Sequence, residues 1–462
     1  MNAEVDRPLK IIEPRLRMDP ITPERYISRE YARLEWSRMW MRTWHIGGMA
    51  YQAPEPGDYL VADLGAESII IVRQEEGRLR AFYNVCVHRG TRLLAGPDGH
   101  AAQITCPYHG WQFNHAGRCT FVPDAGDFPK GDPTRTMQLT ELRCEELFGL
   151  VWFTMDANAP PLRDYLGPAV VSDIGAYRME EMVRVLNMSA QADCNWKIIT
   201  DNFNEAYHVQ VLHPQLAPYI ESFGEACQFD LLENGHNRGW FPAHRPGTKF
   251  RGASAAEPLV SLMSEWGLDA GKYTGDGAHE RIRLDIQRQK RKLGPSRGFE
   301  HYERLADFQL TDYIIYNLFP NSVLTVGPDG VQLLRPRPHP SDPEKCLFDH
   351  WWMVPRIKGR QFTPSPAGGP DLPVEDAPLE LIRYGEKTLG TTSDQDLSIA
   401  AIQQVGLHSA GFVHHHLCHQ ERRVQNFHER LNDYLGAPAA SAAAASPGAP
   451  AAPSARATPA PP

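Results

Sequence analysis

The chain has 462 residues, 42% hydrophobic and 22% charged, an ordinary globular balance with room for two to three domains. Its net charge of −9 argues against nucleic acid and against an anionic membrane surface as partners. No run of about eighteen apolar residues suggests a membrane span, the start Met1-Asn-Ala-Glu-Val-Asp-Arg-Pro8 lacks the pattern of a secretion signal, and eight cysteines in so long a chain do not suggest a disulfide framework, so a reducing cytoplasm fits.

Residues 22–45 read as a helix, opened by Thr22-Pro-Glu and carrying Trp36, Met39, Trp40 and Trp44 among its apolar positions. From about 46 to 155 short β-rich runs take over, such as 68–73 and 148–153, broken by Gly and Pro. Within this stretch Cys86-Val-His88 is followed after seventeen residues by Cys106-Pro-Tyr-His109. Two thiolates and two imidazoles in that order fit a Rieske [2Fe–2S] centre, in which the cysteines hold one iron and the histidines the other. Such a centre moves single electrons. A structural zinc site is the other reading of a Cys₂His₂ set, although the familiar finger pairs Cys with Cys and His with His. Gly90 and Gly110 stand just outside the two pairs, where tight loops need a permissive backbone. Cys119, Cys144, Cys194, Cys227, Cys346 and Cys418 read as reduced and buried.

Residues 195–214 mix apolar and polar positions at roughly helical spacing. Asp201, Glu205 and His208 fall at i, i+4 and i+7, which on one helix would put all three on a single face. His213 precedes Pro214, which disfavours regular helix there, and a bend would swing its ring toward His208. Two histidines so placed suit a mononuclear iron(II) site of the two-histidine, one-carboxylate type. An amphipathic helix with two incidental histidines is the plain alternative. Residues 222–300 carry few strand signals and could supply a mobile lid. Within them Ala278–Leu293 reads as a helix with a basic, solvated end, or as a docking patch for an acidic ferredoxin. Strand candidates follow at 312–319 and 346–353. Asp394 and Asp396 sit at the start of another helical pattern, where either could cap it. His414-His-His-Leu-Cys-His419 lies in a helical run ending near Leu435, where consecutive residues do not face one another. From Gly436 to Pro462 the chain is almost all Ala, Pro, Ser and Gly, a composition expected to be disordered. Periodicity alone gives an α+β fold. No dinucleotide fingerprint is present.

The block Asn84-Val-Cys86-Val-His88-Arg-Gly90 with Cys106-Pro-Tyr-His109-Gly-Trp111 resembles the Rieske box of the ring-hydroxylating oxygenases. The stretch from Asn195-Trp-Lys through Glu205-Ala-Tyr-His208 to His213-Pro resembles the iron-binding motif of Rieske non-haem iron oxygenase α subunits, and the resemblance runs from about residue 20 to about 435. It implies an N-terminal helical segment over 1–45 packing on the catalytic domain, an all-β Rieske domain over 46–155, a helix-grip catalytic domain with antiparallel sheet and covering helices over 156–435, and the tail from 436. It implies a [2Fe–2S] cluster on Cys86, His88, Cys106 and His109, and a mononuclear Fe(II) on His208, His213 and a late Asp followed seven residues on by Gln, a spacing matched by Asp396 and Gln403. Glu205 matches the carboxylate that, in the family, bridges the cluster histidine of one subunit to an iron-binding histidine of its neighbour. Many ring dioxygenases have Asp there.

The implied activity is that of a terminal oxygenase drawing electrons from NAD(P)H through a separate flavin reductase, with or without a ferredoxin, as an α₃ or α₃β₃ assembly with a small β subunit. The favoured substrate is a hydrophobic aromatic or polycyclic compound. The alternatives are a monooxygenase acting on an alkyl, N-methyl or quaternary-ammonium group and, from another class, a Rieske electron-transfer protein without oxygenase activity.

Overall fold

The computed structural model describes residues 7–11, 14–250, 252, 254–366 and 368–436. The tail expected beyond Gly436 lies outside these residues. Among them, no helix is long and apolar enough to cross a membrane.

The architecture is α+β and has two sheets. The first has seven strands, in the order His45–Met49, Leu150–Thr154, Glu141–Leu147, Leu79–Tyr83, Glu67–Arg73, Asp58–Leu64 and Asp98–His100, and a small three-stranded sheet over 104–121 stands beside it. The strand Glu67–Arg73 shows why its run of Ile69-Ile-Ile-Val72 carries no polar face. Ile70 and Val72 enter a core with Cys86, Cys106, Trp111 and Phe113, while Ile69 and Ile71 enter a second core shared with the catalytic half. Alternation sends successive side chains to opposite faces, and here both faces are covered.

The second sheet has eight strands. Gln228–Leu231, Asn237–Phe241, Tyr313–Leu318, Ser322–Gly327, Gly330–Pro338, Cys346–Pro355 and Met182–Ala192 are antiparallel neighbours, and Glu380–Arg383 joins the last of them in parallel. Three helices cover one face: Trp196–Phe203 against the 330–338 and 346–355 strands, Thr391–Gly406 against that helix, and Arg422–Leu435 against the first strand. This is a curled antiparallel sheet gripping helices, and the metal-site candidates of this half lie on its helix-bearing side.

Two local readings of the sequence give way and a third holds only in part. The helix expected over 22–45 breaks into Glu24–Ile27 and Arg29–Arg38, because Ser28 is extended and its hydroxyl accepts the Tyr31 N–H at 3.2 Å, starting a new helix; a 3₁₀ turn and the strand His45–Met49 follow. The Ala278–Leu293 helix forms, but two of its cations, Arg283 and Lys290, turn inward. Arg283 pairs with buried Asp312 at 2.6 Å, Lys290 is fully buried against Asp329 at 3.2 Å, and Arg291 reaches Asp307 at 2.7 Å. Arg283 and Lys290 thus anchor the helix, while Arg288 (72% exposed) and Lys292 leave part of its basic end solvated. The histidine tract 414–419 precedes its helix, which starts at Arg422. His415 stacks on Tyr26, with ring centroids 5.4 Å apart, and donates its backbone N–H to Ile21, so the tract crosses the N-terminal segment in irregular conformation.

The N-terminal helices are tied to the catalytic half by charge. Lys197, on the covering helix, lies 2.7 Å from Glu35, and both are almost wholly buried. Burial pushes the Glu35 carboxyl up and the Lys197 amine down, and each partner's charge works against that shift. Removing one member of such a pair strands the other charge. Lys197→Met is expected to lower stability by about 3–5 kcal/mol, read as a shift in the urea midpoint. Adding Glu35→Leu to it is expected to recover more than half of that loss.

Candidate metal centres

The two Cys–His pairs sit on two loops built alike. Each cysteine donates its backbone N–H across its own loop, Cys86 to Thr91 at 2.8 Å and Cys106 to Trp111 at 2.8 Å. Each cysteine carbonyl accepts the N–H of the glycine four residues on, Gly90 at 2.9 Å and Gly110 at 3.1 Å. Both glycines have positive φ, +75° and +71°, a turn that a side chain would strain. Asn84 braces the first loop through its amide, accepting from the N–H groups of Leu93 and Leu94 and donating to the Leu94 carbonyl and Ser68 hydroxyl. The loop tips hold Cys86 and Cys106 buried, while Val85 and Tyr108 are exposed beside them.

These loops fit a two-iron cluster. The His88 and His109 rings stand 4.8 Å apart, and His88 stacks on Trp111 at 4.7 Å, which fixes its plane. The Nδ1 atoms of His88 and His109 are both buried and have no hydrogen-bond partner, which leaves both free to ligate an ion. Burial pushes the Cys86 thiol up, and its neighbour Cys106 acts in the same direction. A single tetrahedral zinc needs its donors within about 4 Å of one another. Among the described residues only His208, His213 and Asp396 form a group of three donors within 4.8 Å, so the four loop ligands are too widely spread for one ion and suit two.

That second group is assembled from three segments. Asn195 caps the Trp196–Phe203 helix by accepting the Lys197 N–H at 3.0 Å, and its amide donates to the Tyr26 and Pro343 carbonyls. The helix stops at Phe203 and Asn204 is its C-cap, so Asp201, Glu205 and His208 do not share one helix face. Asp201 stays with the helix and turns inward, accepting from the Tyr26 hydroxyl at 2.6 Å and from His428 Nε2 at 3.1 Å. His208 opens the short turn Val209–Leu212, and His213 ends it with φ −121° and ψ 54° before Pro214. The two rings are then 5.2 Å apart and nearly perpendicular.

Asp396 arrives from the Thr391–Gly406 helix. One of its carboxylate oxygens lies 2.9 Å from His213 Nε2 and 3.5 Å from His208 Nε2, so three ligand atoms converge on one point. Each ring's other nitrogen is held. His213 Nδ1–H donates to Gln395 Oε1 at 2.8 Å, and His208 Nδ1–H donates to Glu205. Such partners fix the tautomer and turn Nε2 toward an ion. Burial opposes a proton on His208, but the hydrogen bond and charge of Glu205, with Asp396 behind them, outweigh it and hold its pKa above the ordinary value. Asp394 is occupied elsewhere, accepting the Leu389 N–H at 2.9 Å. Gln403 is exposed, and its neighbour Gln404 is the buried one, accepting the Asn195 N–H at 2.8 Å. The partners that the sequence reading passed over are Gln395, beside Asp396 in the chain, and Tyr26 and His428, which no local motif marks.

Two family models match. The Rieske [2Fe-2S] domain covers residues 43–136 and the ring hydroxylating alpha subunit (catalytic domain) covers residues 179–437, more than half of the chain. The chain is 30% identical over 216 residues to the carnitine monooxygenase oxygenase subunit of Acinetobacter baumannii (46% of this chain, 56% of the relative). It is 28% identical over 193 residues to the glycine betaine monooxygenase oxygenase subunit of Pseudomonas aeruginosa (41% and 44%), and 32% identical over 197 residues to the chlorobenzene dioxygenase subunit alpha of Cupriavidus (40% and 42%). The chain thus spans about half the length of the curated relatives it matches. Among solved structures, a quaternary ammonium Rieske monooxygenase superposes with TM-score 0.64 at 19% identity, over 90% of this chain and 95% of the other. A naphthalene 1,2-dioxygenase superposes with TM-score 0.59 at 17% identity, over 93% and 94%. These likenesses establish the fold.

The two centres are separable by substitution. Cys86→Ser is expected to lose the brown colour and acid-labile sulfide of the cluster, because a hard oxygen suits it poorly, and to keep the mononuclear iron. His213→Ala is expected to do the reverse. Metal and sulfide analysis of both variants checks the pair. Full iron retention in Asp396→Ala would remove that residue from the ligand set.

Proposed function

This chain belongs to the family of ring-hydroxylating α subunits, and we propose that it is the terminal oxygenase of a multicomponent Rieske system. One observation carries the reading: a loop pair suited to a [2Fe–2S] cluster and a two-histidine, one-carboxylate site occur in the same fold. A Rieske electron-transfer protein without oxygenase activity has no use for the second site. When bound, the cluster supplies electrons singly and the mononuclear iron activates dioxygen. Inserting one oxygen atom into a C–H bond consumes dioxygen, two electrons and two protons and releases water. The electrons come from NAD(P)H through a separate flavin reductase, with or without a ferredoxin, in the cytoplasm.

The residues of the chain do the positioning. His208 and His213 present Nε2, Asp396 presents one oxygen, and Glu205 and Gln395 hold the rings from behind. Exposed apolar side chains lie beside both centres, Val85 and Tyr108 at the cluster and Tyr207 and Val211 (86% exposed) at the iron site. That pattern supports a ring of three subunits, with or without a small β subunit, in which the cluster of one chain faces the iron of the next. Glu205 is the electron bridge across that boundary. Its carboxylate already accepts the His208 Nδ1–H and the backbone N–H groups of Tyr207 and His208. A carboxylate has about four acceptor positions, which leaves one for a cluster histidine.

For the substrate, the helix-bearing face of the sheet favours a polar molecule over a hydrocarbon. Asn202, Asn317 and Arg423 bury side-chain nitrogen or oxygen atoms there without partners. Asn317 lies opposite Asn237 in the ladder, and Arg423 reaches Asn237. A flat aromatic would leave such groups unpaired at a cost; a quaternary ammonium alone would too, but a carboxylate on the same molecule could accept from these donors. The relatives that act on carnitine and glycine betaine point the same way, so we place N-methyl and quaternary-ammonium compounds first and aromatic or polycyclic ones second.

Turnover with ¹⁸O₂ and a panel of quaternary-ammonium, aromatic and steroid compounds tests this. The expected product carries one labelled oxygen and derives from a quaternary-ammonium compound; a doubly labelled diol from an aromatic would reverse the order of substrates. Glu205→Gln is expected to retain both metals and the trimer and to lose most turnover. Cluster oxidation at the wild-type single-turnover rate in that variant would end the bridge assignment, and joint loss of metal and fold would make Glu205 a structural residue only.

A further inference from the structure

A cleft of about 610 Å³ lies between the Rieske sheet and the outer face of the catalytic sheet, within the range of small-molecule sites. It is distinct from both metal centres, since none of their ligands lines it. On the catalytic side its wall is the face opposite the helices. Phe348 points to the helix side, where it stacks on Phe203, whereas Leu347, Asp349 and Trp351 line the cleft.

The charges in this wall do not balance. Asp349 alone receives two guanidiniums, Arg335 at 2.6 Å and Arg337 at 2.7 Å. Arg184, on the neighbouring strand, is 3% exposed and its side chain makes no hydrogen bond; its Nε is buried and unpartnered. Its nearest carboxylate, Asp376, is 3.9 Å away and is already bonded by the Tyr51 hydroxyl at 2.6 Å. Arg184 and Arg335 both lie over the Trp351 ring, 4.8 and 5.2 Å from its centre. At the rim Arg92 pairs with Asp63 at 3.2 Å. Arg383 and Asp98 complete the charged lining. The cleft therefore presents five arginines against three aspartates, and a positive surplus persists when Asp376 is counted as a fourth. His45 also lines it but adds no charge, because burial drives its pKa down to about 4. Burial likewise pushes the Arg184 guanidinium down, and the charge of Asp376 only partly opposes that shift.

We propose that this cleft binds a small organic carboxylate, whose head group takes the Arg184 guanidinium, which makes no hydrogen bond to the described residues, and whose apolar body lies along Leu60, Leu347 and Leu381. A guanidinium is the donor suited to a planar carboxylate. An uncompensated buried cation is costly to the fold, and a bound anion removes that cost. The ligand would touch both domains, because Leu60 belongs to the Rieske sheet and Leu347 to the catalytic sheet.

The test uses the metal-loaded protein with sodium benzoate as probe, read by calorimetry and by thermal unfolding, and benzamide as the uncharged control. Benzoate is expected to bind saturably and to raise Tm, and benzamide is not. Arg184→Met is expected to weaken benzoate binding by about tenfold or more while matching or exceeding the parent's Tm without anion. Arg383→Gln, at an exposed rim position where folding is not at stake, is expected to weaken binding by a smaller factor. Carboxylates also bind iron, so the titration is repeated in His213→Ala, where cleft binding persists. The proposal falls if the parent shows no saturable binding, if folded Arg184→Met binds as well as the parent, or if binding vanishes in His213→Ala. Should Arg184→Met not fold, undiminished binding in Arg383→Gln overturns it.

Discussion

The catalytic half depends on where one short helix stops. Trp196–Phe203 is fastened at its start by the Asn195 cap and along its length by two buried contacts, Lys197 with Glu35 and Asp201 with Tyr26 and His428. These contacts engage Lys197 and Asp201, the two charged side chains of the helix, on its interior side. The chain beyond Phe203 then leaves the helix, and that departure frees Glu205 and His208 to face the metal site. Had the helix continued, His208 would have projected about 1.5 Å per residue further along the same axis, with no bend to return His213 to it.

The cluster loops solve a related problem with less material. Two short loops repeat one hydrogen-bonding scheme, and the buried packing around Trp111 and Phe113 sets their spacing. Their sheet is not an independent body. Ile69, Ile71 and Phe153 share a core with Met188, Phe348 and Phe427 of the catalytic half. The cluster therefore has a fixed bearing on its own chain's sheet, and the cleft carrying Arg184 opens along that same seam.

Local chemistry was legible in the sequence, and long-range placement was not. The Cys–His pairs, the histidines before Pro214 and the strands expected at 312–319 and 346–353, which form at 313–318 and 346–355, were marked by spacing and by apolar and aromatic runs, because their determinants lie within a few residues. The helix face joining Asp201, Glu205 and His208 was misread, because helical periodicity persists through a segment whose helix is ended by tertiary contacts. The inward turn of Arg283 and Lys290 within 278–293 was not legible for a similar reason. Asp312 and Asp329, which neutralise Arg283 and Lys290, come from later strands and turns that no helical pattern reveals. Asp394 and Asp396 were two residues apart and chemically alike. The structure separates them by direction, one turned back to the Leu389 N–H and one toward the histidines.

The glutamate at position 205 illustrates how one methylene can matter at such a site. Its side chain folds back so that one oxygen reaches the His208 ring while the other meets the backbone N–H groups of Tyr207 and His208. It therefore both shapes the loop and orients the ligand, the two tasks sharing one carboxylate. An aspartate has a shorter tether and fewer rotamers, so from the same backbone it would have to relinquish one of these contacts or draw the loop inward. The longer side chain holds the loop by its own hydrogen bonds, and in exchange the carboxylate has less capacity left for a neighbour. If the proposed bridging role of Glu205 holds, coupling between the two metal centres rests on a residue whose hydrogen bonds are mostly committed within its own chain.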